Sequence, residues 1–280
     1  MTDKLIELLQ PSRLTNVIDI GANPIGGDPP YKRLLENRLC RVVGFEPQLD
    51  ALDSLNSQKS DLEFYLPYAV GDGEQATLNI CSASGMTSIL TPDRHSLAHF
   101  PGFLDWGQVV RQITVQTYRL DEIKEIPSID FLKIDVQGSE LNIFRSGRNR
   151  LKEAIAVQTE ISFIPLYKDQ PLFSDIDFEL RTLGFVPHSF AAIKRRMIHP
   201  FFVDKPYRGL NQLLEADMVY VRDFLKPEKM SAEQLKHLAI VAHFCYGSYD
   251  LASHCIHHLA NSQAVSRDAV EHYAAVLRQG

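Results

Sequence analysis

The chain has 280 residues, 45% of them hydrophobic and 23% charged, with a formal net charge of −6. That length holds one large domain or a domain with an appendage, and the apolar share is that of an ordinary chain with a sizeable core. The negative balance argues against nucleic-acid binding and gives no support for an anionic membrane, although one local basic run, Lys194-Arg195-Arg196, is either a solvated stretch or a contact for an acidic substrate.

The opening segment, MTDKLIELLQPSRL, has no long apolar core followed by a small-residue cleavage site, so no secretory signal is expected. Asn16 to Ile20 is a short apolar strand ending at Gly21. Asp28-Pro29-Pro30 reads as a helix start, with Asp28 as N-cap and Pro29 at the first helical position, and the helix YKRLLENRL leads to a second strand, Arg41 to Phe45. Glu46-Pro47 ends that strand and opens a helix whose Leu49, Leu52 and Leu55 fall on one side. A third strand spans Leu62 to Val70, and Gly71-Asp72-Gly73 is a turn before a strand at Ala76 to Cys81. The stretch from Ser82 to Val110 is less regular, holds the sole tryptophan, Trp106, and suits a loop or lid.

Further strands follow at Ile113 to Thr117, at Ile129 to Ile134 within SIDFLKIDVQGSEL, and at Ile155 to Thr159, which ends at Glu160. Ser174 caps a helix with Asp177 three residues on, Gly184 closes it, and Phe185 to Phe190 and Met218 to Val221 complete the strands. Strands alternating with helices predict a parallel sheet with helices on both faces. Beyond Pro227 the character changes: Ser231 to Tyr246, Tyr249 to Asn261 and Arg267 to Leu277 read as three amphipathic helices. The expected division is an α/β domain over 1–226 and a helical extension over 227–280. Four cysteines without C-x-x-C spacing predict neither a disulfide framework nor a zinc cluster, and no apolar run is long enough to span a bilayer. A cytoplasmic protein with no membrane partner is expected.

VIDIGANPIGG is a strand running into a glycine-bearing loop. Gly21 permits a tight turn and close backbone approach to a ligand, and Asp19 is placed to accept a hydrogen bond. Glu46 ends the second strand, where a carboxylate commonly takes both ribose hydroxyls of an adenosine. A dinucleotide site wants G-x-G-x-x-G, but Asn23 replaces the second glycine and Pro24 follows. S-adenosylmethionine has no phosphate, and its ammonium favours acids and carbonyls such as Asp19 and the Gly21 carbonyl, so the methyl donor is the better fit.

The segments VIDIGAN, VVGFEP, YAVGDG, LDEI, FLKIDVQGSEL and AVQTEISF occur in that order. From about Asn16 to Arg222 the chain resembles the FkbM-type methyltransferases. The resemblance implies a Rossmann-like class I methyltransferase fold, α/β with a mostly parallel seven-stranded sheet, and methyl transfer from S-adenosylmethionine, usually to a hydroxyl. Carried over by motif, Asp19, Gly21 and Asn23 hold the methionine end of the cofactor, Glu46 holds the ribose, and Ala69, Val70 and Asp72 border the adenine. The family's GAN-x-G is extended here to GANPIGGDPPY, which leaves the contacts of Pro24 to Gly27 open.

In that fold the KIDVQG strand lies beside the first strand, with its C-terminal end toward the methyl group. Lys133 and Asp135 point to one side of the sheet, to pair with each other or with ligand atoms, and Glu160 ends the neighbouring strand. One of these carboxylates accepts the acceptor's proton, or the two hold a divalent cation, or Asp135 only satisfies Lys133 while Glu160 caps backbone amides. Glu140 is either an acceptor contact or a solvated first-turn acid. His188 is a second base or a structural histidine. Thr87, Ser88, Tyr167 and Trp106 are candidates for an acceptor pocket. His254, Cys255 and His258 share a helix face without completing a four-ligand metal set.

The C-terminal helices, with small residues at Ala242, Gly247 and Ala252, are expected to dock on the catalytic domain, on a second copy or on a substrate carrier. The expected activity is O-methylation of a sugar (a glycan acceptor) or small metabolite. A nicotinamide-dependent oxidoreductase and a non-catalytic binding module are the alternatives.

Overall fold

The structure is a computed structural model and describes residues 2–23 and 27–278. Its strands are β1 (Thr15–Ile20), β2 (Cys40–Phe45), β3 (Glu63–Leu66), β4 (Ala69–Gly71), β5 (Gln75–Cys81), β6 (Val109–Arg119), β7 (Phe131–Ile134), β8 (Ala156–Ser162), β9 (Phe185–Arg196) and β10 (Gln212–Arg222). Seven of them form one sheet in the order β3-β2-β1-β7-β8-β10-β9. Strands β3, β2, β1, β7 and β8 run parallel, and β10 is antiparallel to both β8 and β9. This is the mostly parallel seven-stranded, Rossmann-like class I arrangement that the resemblance implies. The chain leaves β1 toward one edge and β7 toward the other, so a crevice opens at the carboxyl ends of these two neighbours.

The single third strand expected from Leu62 to Val70 is two strands. Pro67 has no N–H to give a ladder, and the chain breaks there: β3 stays in the main sheet while β4 joins β6 and β5 in a separate three-stranded sheet. The strands expected at Ala76 to Cys81 and Ile113 to Thr117 therefore belong to that small sheet.

The helices are α1 (Thr2–Leu9), α2 (Lys32–Glu36), α3 (Leu49–Gln58), α4 (Arg94–Leu97), α5 (Phe103–Trp106), α6 (Glu140–Ser146), α7 (Arg148–Leu151), α8 (Phe173–Thr182), α9 (Ala232–Tyr246), α10 (Tyr249–Asn261) and α11 (Ala269–Arg278). Two starts differ from expectation. Asp28 does not cap α2: Pro29 and Pro30 form a preceding turn, Lys32 N–H bonds the Pro29 carbonyl at 3.0 Å, and Asp28 instead pairs with the Lys32 ammonium at 2.8 Å. In α8 the acid that closes the first turn is Asp175, whose carboxylate accepts from Leu172 N–H at 2.9 Å, and Ser174 lies inside the turn.

Alternation along the strands sends successive side chains to opposite faces. Ile18, Leu132, Val157 and Tyr220 face α6 and α8, packing with Ile143, Phe144, Ile176 and Leu180. Val17, Phe131, Ala156, Val219 and Val221 face the other way, into one apolar cluster with Leu5, Leu34, Leu238, Phe244 and Ile256. The C-terminal helices therefore cover a sheet face. Helix α9 starts at a capping box, in which Ser231 Oγ accepts from Gln234 N–H at 3.2 Å and Gln234 Oε1 accepts from Ser231 N–H at 2.8 Å. Gly247, with φ +61°, ends it.

Candidate functional site

The face that α9 covers changes character toward the carboxyl ends of its strands. Parallel register places Val17 beside Phe131 and Phe131 beside Ala156, an apolar row. Two residues on, Asp19 stands beside Lys133 and Lys133 beside Gln158. Glu160, two further along β8, is opposite Asp217 of β10. The apolar part is core, and the polar part lines a cavity of about 620 Å³.

On the β1 side of this cavity Gly21 has φ +77°, and a Cβ there would fall 1.9 Å from the Asp135 carbonyl oxygen. No side chain fits, so the first loop and the β7 end lie backbone against backbone. Gly21 N–H donates to the Phe45 carbonyl at 3.0 Å, while its own carbonyl accepts from Lys133 Nζ at 2.8 Å. Lys133 also sits 3.1 Å from Asp19 Oδ1. The expected pairing of Lys133 with Asp135 is thus replaced, because Asp19 is its direct neighbour across the ladder and Asp135 lies beyond the strand end. Tyr31 OH donates to Asp19 Oδ2 at 2.6 Å. Asp19 Oδ1 is buried with the Lys133 ammonium as its partner, so both carboxylate oxygens are held from within the protein. Burial pushes the Asp19 carboxyl up against the pull of Lys133 and Tyr31. Burial pulls Lys133 down, but the Asp19 and Asp135 carboxylates outweigh it and raise the ammonium above its usual value.

Glu46 ends β2 and lines the cavity with 3% exposure, its Oε1 accepting from Gln48 N–H at 2.8 Å. Burial raises its carboxyl, opposed by N–H donors of Gln48 and Asn23. Asn23, Ala69 and Val70 line the same end. Asp72 does not: it is exposed and holds its turn by accepting from Glu74 N–H at 3.1 Å. Of the extended loop, Pro24 to Gly26 lie outside the described residues.

At the other end, Asp135 and Glu160 are joined by a residue the sequence did not single out. Gln137 Nε2 donates to Asp135 Oδ1 at 2.6 Å and to Glu160 Oε2 at 2.9 Å. Its Oε1 accepts from Tyr167 OH at 3.3 Å, which fixes which way the amide points. Gln137 and Gly138 both have positive φ, +58° and +105°, and this turn brings the side chain back over the strand end. Lys194, from the basic run, is half-buried and paired: it donates to Glu160 Oε1 at 2.5 Å and lies 3.8 Å from Glu215. Burial, then repulsion from Asp135 and Glu215, push Glu160 well above the usual carboxylate range against the pull of Lys194. Asp217 lines the cavity too, raised by burial, and its carboxylate has no hydrogen bond or ion pair of 4.0 Å or less among the described residues. Tyr31, Gln137, Glu215 and Asp217 escaped the sequence reading, which had Lys194 only as part of a basic run.

Several candidates sit elsewhere. Glu140 is neither solvated nor in the cavity: it is 4% exposed, and its Oε1 accepts from Val136 N–H at 2.9 Å and Gly138 N–H at 3.2 Å, fastening the turn from behind. His188 is outside the cavity, its Nε2 2.7 Å from Ser248 Oγ beside α10. Trp106 packs on Phe103, ring centroids 5.0 Å apart, in a separate apolar cluster. Tyr167 is buried behind Gln137, whereas Thr87 and Ser88 line the cavity, and Ser88 Oγ donates to the Gln137 carbonyl at 2.7 Å.

No group of three His, Cys, Asp or Glu side chains among the described residues is placed to hold a metal, and between Asp135 and Glu160 the Gln137 amide stands where a bridging cation would. His254 Nε2 lies 2.9 Å from the Phe224 carbonyl oxygen, and Cys255 is fully buried in the core. No described helix is long and apolar enough to cross a membrane.

Known proteins add a family. The methyltransferase FkbM domain matches residues 19–187, more than half of the chain. No curated protein matches. Among solved structures, the chain is similar to the magnesium protoporphyrin IX methyltransferase of Synechocystis PCC 6803 with bound SAM, at 11% identity over 79% of this chain and 77% of that one, TM-score 0.39. It is also similar to the precorrin-6y C5,15-methyltransferase of Geobacter metallireducens GS-15, at 11% identity over 78% and 85%, TM-score 0.38. At these scores neither bears on the chemistry of the present chain.

Proposed function

The chain belongs to the methyltransferase FkbM domain family and is an S-adenosylmethionine-dependent methyltransferase, and we propose that it methylates a hydroxyl on a sugar or small metabolite. The observation that carries this reading is the two-ended cavity. One end offers the carboxylates of Glu46 and Asp19, and the other gathers Asp135, Glu160 and Asp217, with the Gly21 backbone in contact with that of Asp135 between them. The negative charge of Asp19 suits an ammonium and Glu46 a pair of ribose hydroxyls, so the residues present fit the cofactor. Asn23, Ala69 and Val70 complete its end.

When bound, S-adenosylmethionine supplies an electrophilic methyl group on a sulfonium. The protein's part is to hold the acceptor oxygen in line and take its proton. Both Glu160 oxygens are engaged, by Lys194 and Gln137, whereas Asp135 spends only Oδ1 on Gln137. Asp135 Oδ2 is therefore the proton acceptor, and Glu160, Gln137 and Lys194 position it. Lys133 neutralises Asp19 and anchors the Gly21 carbonyl. Asp217, whose carboxylate has no hydrogen bond or ion pair among the described residues, is a second candidate for the same task at that end of the cavity.

Titration calorimetry with S-adenosylhomocysteine, with NADH as control, is the first test, followed by radiolabelled methyl transfer to a panel of sugars and hydroxylated metabolites. Binding of the first ligand alone and label on a hydroxyl support the reading; label appearing only on nitrogen or carbon acceptors removes the O-directed part. With an acceptor identified, Asp135→Asn abolishes turnover and keeps cofactor binding. If turnover survives there and is lost in Asp217→Asn, the proton goes to Asp217.

A further inference from the structure

The connection from β9 back to β10, residues 197–211, departs from an ordinary polar exterior. Sixteen large apolar side chains are exposed among the described residues, and six of them (Ile198, Phe201, Phe202, Val203, Tyr207 and Leu210) fall in this one connection. Single exposed apolar residues need no explanation, but a concentrated set marks an interaction surface. The segment is folded chain. His199 N–H donates to the His99 carbonyl at 2.8 Å, Phe201 N–H to Ile198 at 3.1 Å and Arg208 N–H to Lys205 at 3.0 Å. Gly209 packs so closely that a Cβ would lie 2.5 Å from the Arg195 carbonyl oxygen. Despite these ties Phe201, Phe202 and Tyr207 remain 53–58% exposed.

Its charge is opposite to that of the whole. From Lys194 to Asn211 there are five basic residues (Lys194, Arg195, Arg196, Lys205 and Arg208) and one acid, Asp204, giving 5 − 1 = +4 in a chain of −6. Lys194 is spent on Glu160, and the Arg196 guanidinium lies over the Phe103 ring. Asp204 stands 4.0 Å from Arg208, so the exposed Arg195 and Lys205 have no carboxylate partner among the described residues.

We propose that this hairpin tip docks on an anionic lipid bilayer, with Phe201, Phe202 and Tyr207 at headgroup depth and Arg195 and Lys205 on lipid phosphates. Aromatic rings beside basic side chains suit the membrane–water interface, and a negative leaflet attracts each added cation. A stable protein interface uses about 20–30 residues and about 800 Å² on each side, more than the one connection 197–211 supplies. Lys194, at the root of the tip, also lines the cavity, so docking sets the Asp217 end of the cavity beside the lipid surface. The whole-chain charge conceals this local reversal. The assignment stands independently of the methyl-transfer reading.

The test is cosedimentation of the full chain with vesicles of equimolar phosphatidylglycerol and phosphatidylcholine, and with vesicles of phosphatidylcholine alone. The protein sediments with the anionic vesicles and binds the neutral ones about tenfold or more weakly, the difference closing at high salt. Phe201→Ser with Phe202→Ser lowers anionic-vesicle binding by about tenfold or more while melting temperature and S-adenosylhomocysteine binding stay unchanged. Arg195→Gln with Lys205→Gln removes the preference for the anionic vesicles. Failure of the wild type to sediment with either vesicle overturns the proposal, as does unchanged binding by the Phe201/Phe202 variant. A wild-type dimer that the same variant dissociates, with no vesicle binding, makes the tip a contact between copies and overturns it too.

Discussion

Replacing Glu140 with glutamine tests the account of the turn beneath the site. Glu140 is buried, and burial, opposed by the Val136 N–H, pushes its carboxyl from the usual 4.5 up to about 7. An acid raised in the folded state holds a proton that the unfolded chain has already released. Its contribution to stability therefore falls as pH rises from about 4.5 to about 7 and stays low above that. A rise of 2.5 pKa units, from 4.5 to 7, at 1.36 kcal/mol each makes the loss about 3 kcal/mol. Glutamine keeps an Oε1 that can accept from both Val136 and Gly138 N–H groups but never ionises. In urea titrations at a series of pH values, the stability of Glu140→Gln relative to wild type should climb by up to about 3 kcal/mol between pH 4.5 and 8. Glu160, Glu215 and Asp217 are also raised, but they are present in both proteins and cancel in the difference. A difference that is flat with pH would falsify the reasoning.

Glu46→Ala should weaken S-adenosylhomocysteine binding by roughly 1.5–3 kcal/mol, and unchanged affinity in calorimetry removes Glu46 from the site. Lys194→Met leaves Glu160 buried without its cation and should cost about 3–5 kcal/mol near neutral pH, by urea unfolding. Because the Glu160 pKa is already raised, that cost should shrink as the solution is acidified and the carboxyl takes a proton; a deficit that does not change with pH rules the ion pair out as its source. Leu238, fully buried against the sheet, should lose about 2–5 kcal/mol on replacement by alanine, whereas a loss below 1 kcal/mol, about that of a surface change, would mean that α9 does not share the sheet's core.

The parallel sheet was legible because strands covered on both faces read as continuous apolar runs, as in NVIDI and DFLKI, and because the glycine and the acid that follow β1 and β2 sit at fixed points of a repeating unit. The small sheet was not, since nothing local shows that Pro67 sends the chain out of one sheet into another. The site shows the same division. Asp19, Gly21, Glu46, Asp135 and Glu160 are read from their own strands. Gln137 is found only once its positive φ is known, for a polar residue after Val136 looks like any loop residue. Lys194 and Asp217 come from the antiparallel pair, and sequence gives no register for a hairpin with a fifteen-residue connection and three register shifts. A bulge-free count would be needed to see that Asp217 falls opposite Glu160.

The helical segment after residue 226 looks separable in sequence because its periodicity changes, yet its buried face packs on the sheet together with α1 and α2. Val17, Phe131, Ala156, Val219 and Val221 would meet water without α9, and these residues begin the same rows that end in Asp19, Lys133, Glu160 and Asp217. One contact lies on the border: Tyr246 OH, in the last turn of α9, donates to Gln158 Oε1 at 3.0 Å, and Gln158 lines the cavity beside Lys133. The helix thus ends where the core ends. Its apolar length excludes water from the base of the face, and its terminal hydroxyl fixes the first polar side chain above it. Charges at the mouth of a sheet can be held in one arrangement only if the row beneath them is dry and packed, because a wet base would let Lys133 and Asp19 solvate separately. The segment read from sequence as an appendage is, by this argument, the floor on which the site is built.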